Sequence, residues 1–512
     1  MKNLFLTVIL FSITMLYAQV PEVEWQKSLG GTGEDVATSI QQTSDGGYIV
    51  AGYSYSNDGD VSGNHGASDY CVVKLDVTGT IEWQKSLGGS SEDWVGPIKQ
   101  TSDGGYIVAG HSSSNDGDVS QNYGGNDYWI VKLDEIGNIE WEKSLGGSGE
   151  DIATDLLQVS DGGYIVVGYS SSIDGDVSQN YGGSDYWIVK LDDVGNIEWE
   201  KSLGGSREDI ANSLHQTSDG GYIVAGHSSS NDGDVSGNQG GYDYWIVKLD
   251  NVGNLRWEKS LGGNGDDMVY TVQQTSDGGY VLAGESNSES GDVSGNHGLI
   301  DAWIVKLDNS GNLEWQKSLG GSSYDAAVSI RQVPDGGYIL SGYTASNDGD
   351  VSGNHGSHDF WMVKVDHTGN MLWQKTLGGT SVDIALYNSL TNDGGFIMAG
   401  ASLSNNGDVS GNHGDFDYWI VKLSAETVGA DEMHVRNSMV IYPNPATDLL
   451  TVTGISPKTE LSITNMFDEI ILKTVVQNDI ESIDISNLQS GAYIIQATTL
   501  GTIKINKIFI KH

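Results

Sequence analysis

The segment Ile-Glu-Trp-Glu-Lys-Ser-Leu-Gly-Gly and its near copies place tryptophans at Trp25, Trp83, Trp141, Trp199, Trp257, Trp315 and Trp373, a constant spacing of 58 residues. A unit of this size cannot bury both of its faces alone, so its copies must stack and build one continuous core between them. Any site made from repeated residues is then made seven times over.

One unit, read from Asp151, contains four strand-like stretches. Asp151 to Val159 is followed by the turn Ser160-Asp161-Gly162-Gly163. Tyr164 to Tyr169 runs into a long polar loop, and Tyr186 to Leu191 and Ile197 to Leu203 flank the turn Asp192 to Asn196. Trp187, Val189 and Leu191 alternate with Tyr186, Ile188 and Lys190, while Ile197, Trp199 and Leu203 alternate with Glu198, Glu200 and Ser202. That period of two marks strands. Four antiparallel strands in each of seven units predict an all-β fold, a seven-bladed β-propeller, with a straight β-solenoid as the rival. The phase favours a closed ring. The array opens on a fourth strand, Val23 to Leu29, and ends on a third, Tyr418 to Leu423, so the N-terminal strand can complete the seventh blade. This order resembles the blade of kelch-type and other bacterial secreted propeller repeats, with Asp-Gly-Gly-Tyr-Ile-Val-Ala-Gly as second strand and the Trp strand outermost. The likeness covers about Val23 to Leu423 and implies a fold, not an activity.

The fourth-strand tryptophans, with Trp129, Trp187, Trp245, Trp303, Trp361 and Trp419 on the third strand, are expected to fill the space between blades. The competing reading is a ring of exposed platforms for sugars. Cys71, the only cysteine, occupies the third-strand Trp position of its unit, which predicts a buried, unreactive thiol and excludes an intrachain disulfide.

Between second and third strands lies an acidic loop, for example Asp232-Gly233-Asp234-Val235-Ser236-Gly237-Asn238 with Asp243 following. Oxygen-bearing residues at its first, third, fifth and twelfth places have the spacing of a calcium loop. The candidate ligands are Asp58, Asp60, Ser62 and Asp69; Asp116, Asp118, Ser120 and Asp127; Asp174, Asp176, Ser178 and Asp185; Asp232, Asp234, Ser236 and Asp243; and Asp348, Asp350, Ser352 and Asp359. Ser290 and Asn406 replace the first Asp, and Gln121 and Gln179 replace the sixth-place Gly. The alternative is a solvated turn whose Asp and Asn side chains bond their own backbone. Single histidines in this loop, His65, His297, His355 and His413, lack the spacing of a zinc site. The loop and the fourth-to-first connector, with Glu34-Asp35, Glu92-Asp93, Glu150-Asp151 or Glu208-Asp209, fall on one face of the ring, the expected surface for a partner or cation.

Acidic side chains number 69 against 25 basic, a net charge of −44, which disfavours nucleic acid and anionic membrane. Residues 1–18 read as a secretory signal: Lys2, an apolar stretch from Leu4 to Leu16, and the small Ala18. The propeller then spans 19–423 and a linker 424–438. No later segment is apolar enough for a transmembrane helix.

Residues 439–512 are less acidic and rich in β-branched residues, the pattern of a small all-β domain. They contain Ile441-Tyr442-Pro443-Asn444-Pro445-Ala446-Thr447-Asp448, Leu461-Ser462-Ile463-Thr464-Asn465, Ile483-Asp484-Ile485-Ser486-Asn487-Leu488, Ser490-Gly491-Ala492-Tyr493, and Lys504-Ile505-Asn506-Lys507-Ile508-Phe509-Ile510-Lys511. This resembles the C-terminal sorting domain of type IX secretion cargo, with Asp468-Glu469 where that family commonly has a Gly turn. The resemblance implies a β-sandwich that engages the type IX machinery and sends the protein to the outer-membrane surface of a Gram-negative bacterium or into the medium.

A non-catalytic binding or adhesion protein, with an unknown extracellular glycan or protein as partner and a calcium-dependent loop face, is the expected function. The alternative is a secreted polysaccharide hydrolase or lyase. Against it, Trp94, Pro97, Arg207 and Tyr324, the conspicuous departures from the repeat, form no constellation in sequence, and no nucleophile elbow, phosphate loop or His-Glu-x-x-His is present. No catalytic residue and no cofactor other than calcium is assigned.

Overall fold

The computed structural model describes residues 20–426 and, beyond them, 440–442, 446–453, 460–465, 470–476, 480–499 and 503–511. The signal at 1–18, most of the linker, Pro443-Asn444-Pro445 and Asp468-Glu469 lie outside the described residues. Pro21–Ala425 forms one compact unit and Glu426–His512 belongs to a second.

The first unit is a seven-bladed β-propeller. Blade one consists of Asp35–Gln42, Tyr48–Ser54, Asp69–Leu75 and Ile81–Leu87, paired antiparallel in that order, and blades two to six repeat it. Blade seven takes its first three strands from Asp383–Leu390, Phe396–Ser402 and Asp417–Leu423, and its outermost strand from Val23–Leu29. The closing register runs from Val23 opposite Leu423 to Leu29 opposite Tyr418. Lys422 Nζ lies 3.1 Å from Glu24 across this seam, so closure adds an ion pair to the strand ladder. The ring, not the solenoid, is the observed architecture.

Third strands are buried along their whole length, and their tryptophans are the largest side chains excluded from solvent. Burying an indole requires an acceptor for its N–H. The fourth strand supplies one: Trp129, Trp187 and Trp245 donate to Glu142, Glu200 and Glu258, and Trp303, Trp361 and Trp419 to Gln316, Gln374 and Gln26. Five of these six rings, all but Trp361, also meet an aromatic of the preceding blade. Tyr186 stands 4.4 Å from Trp245 between centroids, and its hydroxyl donates to the Trp245 carbonyl at 2.8 Å. Tyr70, Tyr128 and Tyr244 repeat this arrangement, and Tyr418 donates to the carbonyl of Cys71. Room for the hydroxyl comes from a second-strand glycine: a Cβ on Gly226 would lie 2.6 Å from the Tyr186 oxygen and 1.9 Å from the Ile210 carbonyl. Six of the seven fourth-strand tryptophans are partly buried and Trp373 is buried, with Trp25 edge-on to Tyr48 of the next blade at 5.7 Å. Cys71 is buried, and burial followed by the nearby Asp35 charge pushes its thiol up to about 12, consistent with an inert sulfur.

Third-strand lysines bury their stems and bring the charge to one or two carboxylates. Lys132 Nζ sits 3.0 Å from Asp103 in the first-to-second turn and 2.9 Å from Glu140 on the fourth strand. The Asp-Gly-Gly turn is thereby tied to the rest of its blade.

The second unit has two sheets, one of Val440–Tyr442, Leu449–Thr453 and Ile480–Asp484, the other of Ile470–Val475, Glu460–Asn465, Gly491–Thr499 and Ile503–Lys511. Leu450, Val452 and Ile483 of one sheet share a core with Leu461, Ile463 and Ile495 of the other, which makes a β-sandwich.

Gly226→Ala forces a Cβ against backbone and is expected to cost about 3 kcal/mol by overpacking. Phe360, which replaces the junction tyrosine opposite Trp419, lacks the hydroxyl. Phe360→Tyr should therefore gain about 1 kcal/mol from the restored hydrogen bond. Chemical denaturation of each variant beside the parent measures both.

Candidate binding site on the ring axis

The acidic loops join the second and third strands of each blade. Their first-place carboxylates turn toward the fourth-to-first connector: Asp58 accepts from Thr32 N at 2.8 Å, and Asp116, Asp174, Asp232 and Asp348 each accept from the corresponding serine N at 2.7 Å. Where Ser290 replaces the Asp, Asn264 replaces the connector serine and the bond reverses, Ser290 Oγ donating to Asn264 at 2.9 Å. The third-place Asp118, Asp176, Asp234 and Asp350 accept from connector glycine N–H groups at 3.3–3.4 Å. Asp60 donates its own N–H to the Gly30 carbonyl at 2.9 Å. Fifth-place Ser62, Ser178 and Ser236 donate to Gln84, Glu200 and Glu258 of the fourth strand, while Ser352 accepts from Gln374. Ser120 lies exposed in its loop. Twelfth-place Asp69, Asp127, Asp185, Asp243 and Asp359 are buried and point inward. The four places of each loop thus face different neighbours, and among the described residues no group of three or more His, Cys, Asp or Glu side chains converges on one point. The two loop types do share one face, as expected.

The twelfth-place carboxylates have their own electrostatics. One oxygen accepts the N–H of the residue four back; the other has no protein donor among the described residues and looks across a connector glycine at the first-strand Asp of the next blade. Gly146 separates Asp127 from Asp151 in this way. Where the residue four back is histidine, its ring reaches the Asp, as in His65 Nδ1 to Asp69 at 2.7 Å, with the imidazole partly exposed. The loop histidines are therefore carboxylate partners and not idle surface groups. Tyr123, Tyr181 and Gln239 offer no such charge. Burial first, and the facing Asp151, Asp209 and Asp267 after it, push Asp127, Asp185 and Asp243 up to about 7.

The strand nearest the axis differs from blade to blade. A bulge after its third residue interrupts the pairing, as between Ala153 and Asp155 or Ala211 and Ser213. The open edge of this strand is satisfied by side chains of its neighbours. Ser213 accepts from Val272 N at 3.2 Å, Gln41 from Gln100 N at 2.9 Å, and Gln273 from Gln332 N at 2.8 Å. At the position of Gln41 and Gln273, however, blades two, four and six carry Lys99, His215 and Arg331. At the position of Ser39, Ser213 and Ser329, blades three and seven carry Asp155 and Tyr387.

These substitutions meet. They line an axial cavity of about 590 Å³ to which every blade contributes. Lys99 Nζ donates to the Tyr387 hydroxyl oxygen at 2.8 Å and Arg331 at 2.6 Å, and both cations lie over the ring, 5.0 and 5.3 Å from its centroid. Asp155 accepts from Leu156 N and Leu214 N, both at 2.9 Å. Burial raises its carboxyl, against the pull of Lys99. Burial raises the Tyr387 phenol too, but Arg331 and Lys99 outweigh it and hold it below its ordinary value. His215 is pushed down to about 4, by burial and then by Arg331, so it is neutral at neutral pH. Toward the acidic-loop end, Trp94 stacks on Tyr53 at 4.4 Å between centroids and 11° between planes. Of the four departures singled out in sequence, Trp94 and Pro97 line this cavity, while Arg207 and Tyr324 lie exposed. Lys99, Asp155, His215, Arg331 and Tyr387 carried a signal that reading one unit at a time missed: aligned by column, the first strand varies at two positions, with Lys99, His215 and Arg331 at one and Asp155 and Tyr387 at the other.

Residues 440–511 match the family described as the secretion system C-terminal sorting domain. Regulatory protein FlaEY of Caulobacter vibrioides is 22% identical over 461 residues, covering 81% of this chain and 46% of that protein, so the chain spans less than half of this relative's length. Among solved structures, a protein of unknown function from Bacteroides caccae is 14% identical with a TM-score of 0.37, covering 63% of this chain and 96% of that one. The extracellular domain of a putative hybrid two-component system from B. thetaiotaomicron is 12% identical with a TM-score of 0.40, covering 96% and 60%. PorZ of Porphyromonas gingivalis, described as a surface component of the type IX secretion system, is 12% identical with a TM-score of 0.20, covering 93% and 81%. At such scores none of the structural likenesses bears on function. The sorting domain does: it marks the chain for type IX export to the cell surface or beyond. No helix among the described residues is long and apolar enough to cross a membrane.

An acid whose folded pKa is raised adds nothing below its unfolded value near 4 and costs increasing stability as pH climbs to the folded value. The melting temperature should therefore fall between about pH 4 and pH 7 and level off above. Asp127→Asn, Asp185→Asn and Asp243→Asn combined should flatten that fall in a pH series of thermal melts; an unchanged slope would assign it to overall charge repulsion.

Proposed function

We propose that this is an exported, non-catalytic binding protein whose ligand enters the axial cavity of the propeller, not the acidic loops. One observation carries this reading. Seven nearly identical blades diverge in charge and aromatic character where they face one shared cavity, and a single site on a symmetric scaffold needs that divergence. The loop oxygens named as calcium ligands are largely engaged by protein donors, so in this reading the loop face is structural, and calcium is not required for binding.

A catalytic reading, a polysaccharide hydrolase or lyase, has Tyr387 in its favour, since a phenol acidified by two cations can act as a base. A lone carboxylate, Asp155, in the cavity argues against the two-acid chemistry of a hydrolase.

Val328 faces the cavity from blade six. Screening neutral and acidic oligosaccharides by thermal shift against the parent, Val328→Trp and Asp232→Ala tests the proposal. The expected result is a ligand that stabilises the parent and Asp232→Ala but not Val328→Trp, without calcium in the buffer. Stabilisation that survives Val328→Trp and disappears in Asp232→Ala or in chelator would move the site to the loop face. Turnover lost in Tyr387→Phe would establish the catalytic reading.

A further inference from the structure

Lys99 and Arg331 give up a structural task. At the matching position Gln41 and Gln273 accept the backbone N–H of the next blade, which a lysine or arginine cannot do, having no acceptor. Nor are these cations neutralised as the third-strand lysines are. Lys74, Lys132, Lys190, Lys248, Lys306 and Lys422 all reach a carboxylate oxygen within 3.3 Å. Among the described residues Lys99 and Arg331 have no carboxylate oxygen within 4.0 Å, and the protein acceptor they share is the Tyr387 oxygen. Asp155 stands close enough to hold the two like charges together, but its oxygens are turned to backbone N–H groups. The cavity therefore holds two cations and one carboxylate in a protein of net charge −44. Each cation spends one N–H on Tyr387 and keeps others for a ligand, and a guanidinium beside an ammonium suits a planar or tetrahedral oxyanion.

The other end of the cavity supplies a different chemistry. Trp94 is five residues before Lys99, about 17 Å along an extended strand. Its ring is braced by Tyr53, and its Nε1 is buried with no acceptor among the described residues, whereas the six third-strand indoles all donate to Glu or Gln. An aromatic plane lining the cavity suits the apolar face of a sugar ring.

We infer that the axial cavity takes a short acidic saccharide, its carboxylate or sulfate held by Lys99 and Arg331 and a ring set against Trp94; the inference rests on the cavity being the binding site proposed above. A planar carboxylate and a tetrahedral sulfate ester both offer the two cations charged acceptor oxygens, so the source is left to the measurement.

Calorimetric titration of the full chain with short oligogalacturonates, sulfated galacto-oligosaccharides and neutral galacto-oligosaccharides tests it. Lys99→Gln and Arg331→Gln put back the residue that blades one and five carry, which keeps the strand edge satisfied. We expect saturable binding of a carboxylated or a sulfated probe, weakened about tenfold or more in either variant, with the neutral probe at least about tenfold weaker on the parent. No binding of either acidic probe, or equal binding to the glutamine variants, overturns the inference. A neutral probe that binds the parent and is blocked by Val328→Trp would overturn the anion assignment and leave the cavity standing. Acidic binding that is indifferent to Val328→Trp would overturn the cavity itself.

Discussion

Four of the seven blade junctions are held by an indole set against a phenol. The third-strand tryptophan presents its face to the tyrosine of the blade before it, accepts that tyrosine's hydroxyl on its own carbonyl, and donates its ring N–H to the fourth strand of its own blade. Core packing, blade order and hydrogen-bond satisfaction thus pass through one residue at each of these junctions. Because an indole removed from water must find an acceptor, the Glu or Gln of the fourth strand is fixed as firmly as the tryptophan. The glycine beside the hydroxyl follows from the same approach of the two blades. Junctions that depart from the rule, at Cys71, Ala302 and Phe360, keep the geometry through their neighbours, which a ring closed by a shared strand can tolerate.

Much of this was legible in the sequence. A constant 58-residue spacing, a period of two and the offset phase together imply blades, strands and a closing strand, and all three are observed. The sorting domain was legible too, through several motifs in order, and its two sheets share one core. The candidate site was not. The acidic loop has the spacing of a calcium loop, but spacing does not say where a carboxylate points. Asp58 turns to a connector amide and Asp69 turns inward beneath His65, because a loop with no flanking helices takes its shape from the neighbouring connector. Lys99, Arg331 and Tyr387 lie 56 to 288 residues apart, and their meeting on one phenol oxygen is a property of the ring's curvature, which no local pattern encodes.

The structure separates two classes of residue. Those that repeat hold the blades together; a second group, which differs from blade to blade, surrounds the axis. The second class departs from local rules, placing cations at a strand edge that wants acceptors and a tyrosine where serine would close a hydrogen bond. Departures of this kind are where function is usually found, since they cost stability and bring no packing in return. Export through the sorting domain puts such a cavity outside the cell, where a scaffold of closed blades with an inert thiol suits an oxidising and variable environment.

The most direct test is to return the axis to the repeat. A variant combining Lys99→Gln, Asp155→Ser, His215→Gln, Arg331→Gln and Tyr387→Ser replaces each divergent side chain with the residue other blades carry at that position. Its thermal unfolding should be as late as that of the parent, or later, because the replaced residues serve a ligand and not the fold. A large fall in its melting temperature would contradict the account and make the axial cluster part of what holds the ring together.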